Sequence, residues 1–298
     1  MESKKYDLIF ITTFVVSDLV ENLVSSIIES NTKVNLLLLV VCQNGNLIDD
    51  WNSENISVKT LSVSCMLSLS SARNLAIKYI LENNIKASHI MFPDDDSTFD
   101  FSFFDRYHSC VSDGVNYIID IYCENTNILF KTQKSISGKK MSYLDWGAAC
   151  SVNMLISFDT FLKVGFFDEK LGVGTHYGAG EDNDYFIRSC YSSNGFIYND
   201  SLYNYHPAPK QKYKRCSVKQ LVVRFNSYGK GVVYCLCKHH LYYDAFIVCM
   251  RALGGGIKSL LLLKINYSIA YFNSSISRFS ILISSVLRYE KKYLKCLM

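Results

Sequence analysis

His89-Ile90-Met91-Phe92-Pro93-Asp94-Asp95-Asp96 is the stretch on which the reading of this chain turns. The short run from His89 to Phe92 has the length and content of a buried strand, and three carboxylates follow it at once. Side chains placed where a chain leaves such a strand project from the sheet edge into a crevice, which is where open α/β sheets hold their ligands. Hard oxygen donors gathered there suit Mg²⁺ or Mn²⁺ and, with the ion, a polyphosphate. A second acidic cluster, Gly180-Glu181-Asp182-Asn183-Asp184, closes a glycine-punctuated loop that begins at Gly165.

Outward from the triplet, Tyr6–Thr12 and Val34–Val41 are apolar runs of strand length, and Leu19, Leu23, Ile27 and Ile28 recur between them with helical spacing. Continuous rather than alternating hydrophobicity belongs to strands covered on both faces, so the pattern predicts a parallel sheet between helices. Ile56–Leu61 reads as a third strand, and Ser70–Leu81 as a helix with a serine cap that leads into the His89 strand. Further on, Tyr117–Tyr122, Ala148–Ile156 and Leu202–Tyr205 read as strands, and Phe158–Val164 and Glu181–Tyr191 as helices. The polar stretch Glu124–Tyr143, with Lys131, Lys134, Gly138, Lys139 and Lys140, reads as a long loop or hairpin over the crevice.

At 298 residues and 49% hydrophobic content the chain has ample material for a packed core, in one large domain or two ordinary ones. Its eleven cysteines are scattered, and the charged start Met1–Asp7 leads straight into an apolar strand-like run, so a reducing, cytoplasmic compartment is expected. The net charge of +4 hides a split, because residues 1–200 carry −10 and residues 201–298 carry +14. That asymmetry is the footprint of a polyanion, either nucleic acid or an anionic membrane face. Ala245–Leu263 and Ile269–Leu287 are apolar but interrupted by Arg251, Gly254–Gly256, Lys258 and Arg278. Neither is the clean span of about 20 apolar residues that crosses a bilayer. They read as helices lying in the membrane interface, or else as a helical subdomain packed on the rest. The apolar stretches, and the lack of any helix-turn-helix, zinc-finger or RNA-recognition motif, argue against nucleic acid as the partner.

Several residues carry candidate chemistry. When a diphosphate leaves a sugar its charge must be neutralised, and a divalent ion held between a carboxylate and phosphate oxygens does this. Asp96 is the candidate direct ligand with Asp94 toward the nucleotide, the plain alternative being a solvated acidic turn. Asp94-x-Asp96-x-Thr98 also fits the pattern that opens haloacid-dehalogenase-like phosphatases, but those carry it on their first strand and here at least two strand and helix units precede it. Glu181-Asp182 stands at a helix start behind Gly178 and Gly180, which let a backbone approach a ligand closely. A proton taken from an attacking hydroxyl needs a fixed carboxylate; Asp182 is the candidate base, with Glu181 positioning it or the acceptor. The alternative is a charge pair favoured by the helix dipole. His206 offers an imidazole nitrogen to the metal shell, although a single histidine is usually a surface or core residue. Cys235-x-Cys237-x-His239-His240 invites a zinc reading, but its spacing matches none of the common structural sites.

Taken in order, the N-terminal apolar strand, Ser71-Ala72-Arg73-Asn74, Phe92-Pro93-Asp94-Asp95-Asp96, Val164-Gly165-Phe166-Phe167-Asp168-Glu169, Gly180-Glu181-Asp182-Asn183-Asp184 and His206-Pro207 resemble a family 2 glycosyltransferase of the GT-A fold. The resemblance runs from about Asp7 to Pro209, roughly two thirds of the chain. It implies an α/β fold with a Rossmann-like mixed sheet and helices on both faces over residues 1–209, followed by a basic, apolar helical region over 210–298. It further implies an inverting transferase whose nucleotide-sugar donor, favoured as a UDP-sugar, lies over the carboxyl ends of the strands. Asp96 and His206 would hold Mn²⁺ or Mg²⁺, and Asp182, with Glu181 beside it, would deprotonate the acceptor hydroxyl for in-line attack at the anomeric carbon. Donor contacts are carried onto Thr12, Phe14, Asn44, Arg73, Asp94 and Asp95.

Two segments depart from the family pattern. Ile11-Thr12-Thr13-Phe14 stands where the family often has Pro-Thr-Tyr-Asn, and Gln43-Asn44-Gly45 where it commonly has an acidic residue for the base; Asn44 can still hydrogen-bond a base edge. The tail, with Tyr228-Gly229-x-Gly231 and Lys238-His239-His240, is similar to the membrane-associated C-terminal segments of bacterial members that build surface polysaccharides on a lipid-diphosphate carrier. That similarity implies a glycan or lipid-linked acceptor and an anionic membrane surface as partners, at the inner face of the cell membrane. The alternative is a non-catalytic nucleotide-sugar or glycan-binding protein of the same fold.

Overall fold

Leu36-Leu37-Leu38-Leu39-Val40-Val41-Cys42 is buried at every position, which requires cover on both faces. The computed structural model describes residues 5–124, 126, 128–130, 136–207 and 216–297, apart from the side chains of 17–18 and 289–297. The elements run β1 (Lys5–Phe14), α1 (Ser17–Glu29), β2 (Leu36–Cys42), β3 (Trp51–Asn52), β4 (Ile56–Ser62), α2 (Leu69–Glu82), β5 (Lys86–Met91), α3 (Phe101–Cys110) and β6 (Asn116–Cys123). They continue with β7 (Lys140–Met141), β8 (Met154–Ser157), α4 (Phe158–Val164), α5 (Glu181–Ser192) and β9 (Phe196–His206), and end with α6 (Val218–Lys238), α7 (Tyr242–Leu261) and α8 (Ile265–Leu297). The chain divides into two units, Met1–Phe167 with Tyr185–Ala208, and Asp168–Asp184 with Pro209–Met298. The expected boundary at residue 209 lies outside the described residues, and residues 168–184 group with the C-terminal helices rather than with the sheet.

The first unit is one nine-stranded sheet in the order β3-β4-β2-β1-β5-β8-β6-β9-β7. β4, β2, β1 and β5 are parallel, as the unbroken apolar runs predict. β8 runs antiparallel between β5 and β6 and makes the sheet mixed, and β9 returns parallel to β6. On one face Leu8, Phe10, Leu36, Leu38 and Val40 pack under Leu23 and Ile27 of α1 and Phe103 and Phe104 of α3. Ile9, Ile11, Leu37 and Leu39 point the other way, as alternate strand residues must, and are buried on the face where α2 packs.

Two sequence expectations need correction, and a third, the loop or hairpin over Glu124–Tyr143, gains detail. Ala148–Ile156 is not one strand. The chain coils in 3-10 turns over Tyr143–Ala148 and Ser151–Asn153, and only Met154–Ser157 pairs. Asn153 is the cause: its Oδ1 accepts from the Cys150 amide at 2.9 Å and its Nδ2 donates to the Ala148 carbonyl at 3.1 Å, satisfying locally what a strand would satisfy across a ladder. Within Glu124–Tyr143, β7 pairs antiparallel to β9 and Leu129 bridges Tyr122, while Lys131 and Lys134 fall outside the described residues. The strand expected at Leu202 begins at Phe196 and bulges between Asn199 and Tyr203, which its paired neighbours Ile119 and Asp120 do not.

The second unit is built on α6, α7 and α8. Gly255 and Gly256 let the rings of Tyr271 and Phe272 lie against α7, where an added Cβ would stand 3.0 Å from each ring. Ser268, Ser274 and Ser275 of α8 donate to the carbonyls of Gly256, Phe225 and Cys249. Arg278 is not a surface cation: it rests over Gly229 and donates to the Val248 carbonyl at 3.0 Å and to Ser274 at 3.1 Å. No described helix is long and apolar enough to cross a membrane.

Candidate functional site

The strand β5 ends at Met91, and Pro93 cannot continue a ladder, so the chain turns. The Ser97 amide donates to the Asp94 carbonyl at 3.1 Å, closing the turn, and Thr98 then exchanges two 3.0 Å backbone hydrogen bonds with Tyr205 at the end of β9. This pairing brings together residues more than a hundred positions apart. Asp96 Oδ1 lies 3.0 Å from His206 Nε2, and Asp94 Oδ2 lies 3.8 Å from the same nitrogen. The imidazole is fixed from behind, since its Nδ1 stands 2.9 Å from the Pro207 carbonyl, which can only accept. Nδ1 therefore carries the proton and Nε2 faces the carboxylates, the arrangement that metal-ligating histidines adopt.

Burial opposes charge on this imidazole, but hydrogen bonds from the protonated ring to Asp94 and Asp96 outweigh it and raise His206 to about 10. The two carboxylates hold a proton on this ring more tightly than a free imidazole would. One ligand atom from each of Asp94, Asp96 and His206 lies within 4.8 Å of the other two, so a divalent ion fits the residues present. Thr98 Oγ1 donates to Glu124 Oε1 at 2.9 Å, the Glu124 amide donates to the His206 carbonyl, and the ring of Phe130 covers the imidazole at 4.9 Å. Neither Glu124 as a site support nor Phe130 stands out from sequence, because both lie in the polar stretch that reads as a long loop or hairpin.

Arg73 is not a helix-surface residue. It is 1% exposed, with its guanidinium 5.8 Å from the centre of the Phe92 ring and 5.3 Å from that of Phe167. From this cage its Nη2 donates to Asp94 Oδ1 at 3.2 Å, and Ser151 Oγ donates to the same oxygen at 3.2 Å. Asp94 is thus oriented by two donors on Oδ1 while Oδ2 faces His206. Asn74 beside Arg73 accepts from the Phe167 amide at 2.7 Å and donates to its carbonyl at 3.0 Å, holding one wall of the cage. Ser151 carried no signal in the sequence beyond ordinary polar composition, and Asn74 appeared only as part of the Ser71-Ala72-Arg73-Asn74 segment.

The other expected donor contacts divide. Asp95 is half-buried on the same turn as Asp94 and Asp96. Asn44 is exposed in a left-handed conformation, φ 58°, just beyond β2, at the carboxyl edge that β1 shares. Thr12 and Phe14 differ from expectation: both are 1% exposed, and Phe14 belongs to the apolar core under α1, so neither side chain is open to a nucleotide. Asn46, not singled out from sequence, ties the edge together by donating to the Val15 and Gln43 carbonyls at 2.6 and 2.9 Å.

The second acidic cluster belongs, through Asp184, to the second unit. Gly178 and Gly180 lie against α6 rather than open to a ligand. A Cβ on Gly180, φ 90°, would stand 2.6 Å from the Gly231 carbonyl oxygen, and one on Gly178 would strike Ser227. Tyr177 stacks on Tyr234 with ring centres 3.9 Å apart. Asp184 is fully buried and accepts on Oδ1 from Lys238 at 2.7 Å and from His239 Nε2 at 2.8 Å; Lys238 also reaches Asp168 at 2.7 Å. Lys238 and His239, which the sequence places in the basic tail, hold the start of α5. Glu181 is buried and Asp182 half-buried on that first turn. One stripe of α6, from Ser227 through Gly231, Tyr234 and Cys235 to Lys238 and His239, is the bed on which Tyr177–Asp184 lies.

No protein-family model and no curated protein matches this sequence. Among solved structures the chain is similar to residues 1–349 of TarS from S. aureus, with 11% identity and a TM-score of 0.51 over 92% of this chain and 90% of that one. It is similar in the same degree to that protein in complex with UDP, and with UDP-GlcNAc at 12% identity, a TM-score of 0.50 and coverage of 92% and 91%. At such identity the likeness bears on architecture: the fold is that of GT-A glycosyltransferases, with a C-terminal helical segment.

Proposed function

We propose that this chain is an inverting family 2 glycosyltransferase that moves a sugar from a nucleotide-diphosphate donor, a UDP-sugar, to a hydroxyl of a glycan or lipid-linked saccharide. The observation that carries the reading is the cluster of half-buried Asp94 and Asp96 with buried His206 at the carboxyl ends of the strands. TarS, which shares the fold, is seen with UDP and with UDP-GlcNAc, and this supports a uridine donor here.

Asp96 and His206 would hold Mn²⁺ or Mg²⁺, and the ion when bound supplies positive charge to the departing diphosphate. Arg73 and Ser151 keep Asp94 oriented on one side, which leaves its second oxygen directed to the cluster. Asn44 and Asp95 would meet the nucleotide end of the donor. Asp182 takes the proton of the acceptor hydroxyl as that oxygen bonds to the anomeric carbon and the nucleoside diphosphate leaves with the bonding pair, and Glu181 positions the acceptor. The C-terminal helices supply the membrane contact, which puts the enzyme on the inner face of the cell membrane. Leu261, the last residue of α7, and Leu263, in the turn to α8, are 78% and 83% exposed, beside exposed Leu260, Leu262 and Ile265, with Lys258 and Lys264 close by in the chain.

Thermal unfolding with UDP, GDP, TDP and CMP, each with and without Mn²⁺, tests the donor. The expected result is a raised midpoint with UDP that needs both Mn²⁺ and Asp96 and is lost in Asp96→Ala. Asp182→Asn should keep that shift and lose turnover. A chain that shifts with no nucleotide would be a binding protein of this fold or something further from it, and unchanged turnover in Asp182→Asn would remove the base assignment.

A further inference from the structure

We infer that Asp184, Cys235 and His239 form a second metal site, of a composition suited to Zn²⁺. One carboxylate oxygen, one thiol sulfur and one imidazole nitrogen lie within 4.8 Å of one another. Asp184 and Cys235 are fully buried and the His239 side chain is 8% exposed. None of the three has a part in the transfer chemistry, so the inference stands apart from it.

The site arises from helix geometry. Cys235 and His239 are four residues apart on α6 and so share one face, while Asp184 comes to that face from the first turn of α5, which the glycine contact of Gly180 with Gly231 presses against α6. Cys237, two residues on, points elsewhere and accepts a hydrogen bond from Ser285 of α8. The pair of cysteines that the sequence displays is therefore not the ligand pair. With metal–ligand bonds of about 2.0–2.3 Å, tetrahedral ligands stand about 3.3–3.8 Å apart. The 2.8 Å separation of Asp184 Oδ1 and His239 Nε2 has to open slightly, and any wider separation within the 4.8 Å limit to close by up to about an ångström.

On binding, the Cys235 thiol gives its proton to solvent, and the proton that His239 donates from Nε2 to Asp184 leaves that nitrogen through solvent while the ring takes one on Nδ1, which frees the Nε2 lone pair for the metal. Water completes the fourth position. Lys238, which already bridges Asp168 and Asp184, remains as an outer donor to the ligating carboxylate. The mixed sulfur, nitrogen and oxygen set favours Zn²⁺ over Mg²⁺, and an ion held by residues of both helices fixes the start of α5 to α6.

The test is Co²⁺ titration of the full chain, freed of metal by chelation, followed by absorption. Only a site with a thiolate gives a sulfur-to-cobalt charge-transfer band in the near ultraviolet, and Asp94, Asp96 and His206 cannot supply one. The band should appear at one equivalent in wild type, in Cys237→Ser and in Asp96→Ala, and be displaced by Zn²⁺. Cys235→Ser should abolish it, and His239→Gln should weaken binding by at least about a hundredfold, more than the loss of an outer partner does. No band in the wild type overturns the site, as does a band that survives in Cys235→Ser. Loss of the band in folded Cys237→Ser, with the fold checked by circular dichroism, overturns the named ligand set.

Discussion

Replacing Gly231 with alanine sets a methyl group where a backbone already lies. The new Cβ would stand 2.5 Å from the Ala179 carbonyl carbon and 2.7 Å from its amide nitrogen, with the carbonyl oxygen closer still, whereas ordinary contact starts at 3.4 Å. Tyr177–Gly180 would have to retreat by about an ångström, because backbone atoms cannot rotate aside as a side chain does. Overpacking of this kind costs about 1–3 kcal/mol, and three backbone atoms in the way put it at the upper end. Alanine in a helix interior returns about 1 kcal/mol relative to glycine. The net expectation is a loss of about 2 kcal/mol. Gly254 on α7 is the control, since nothing lies within 4 Å of its Cβ, and Gly254→Ala should gain up to about 1 kcal/mol. Equilibrium urea unfolding of the two variants, followed by circular dichroism, should separate them by about 3 kcal/mol. The displaced segment ends at Glu181-Asp182, so Gly231→Ala should also lose turnover by up to about a hundredfold while UDP still binds. Equal stability of the two variants would refute the close packing of Tyr177–Gly180 on α6, and unchanged turnover in Gly231→Ala would refute its role in placing Asp182, the proposed base.

Asn74→Ala removes both hydrogen bonds to the Phe167 backbone from a buried position and leaves those groups unpaired, at a cost of about 2–4 kcal/mol in urea unfolding. In metal-free protein His206 is raised to about 10 from an ordinary 6.5, so its contribution is full below pH 6.5 and is lost as pH rises toward 10; His206→Asn should flatten this decline. Mn²⁺ competes with the proton for the same cluster, so its binding should tighten over that pH range, as isothermal titration would read. Leu261→Ser with Leu263→Ser should weaken flotation with anionic vesicles about a hundredfold, on the order of 3 kcal/mol for two leucines withdrawn from lipid; unchanged flotation would remove the turn as the contact.

Much of the sheet was legible because its signals are local. Seven consecutive apolar residues at Leu36–Cys42 can only be covered on both faces, and Pro93 with three carboxylates marks the end of a strand whatever lies around it. The 3-10 turns before β8 were not legible, since Asn153 can satisfy the backbone locally or point to solvent, and its neighbours decide which. Phe14 shows the same limit: a motif position places it at the end of β1, but strand parity and the helix above turn its ring into the core.

The sequence by itself determined the donor atoms: acidic triplet, histidine, arginine and second acidic cluster, together with the order in which they arrive. Only the tertiary structure decided their partners. It joined Asp96 to His206 through the Thr98–Tyr205 pairing, caged Arg73 between Phe92 and Phe167, and drew Asp184 to Lys238, His239 and Cys235. The physical reason is range. Hydrophobic period and turn chemistry act over a few residues and are written along the chain, whereas a hydrogen bond or a metal ligand is chosen by whatever packing brings within about 3 Å.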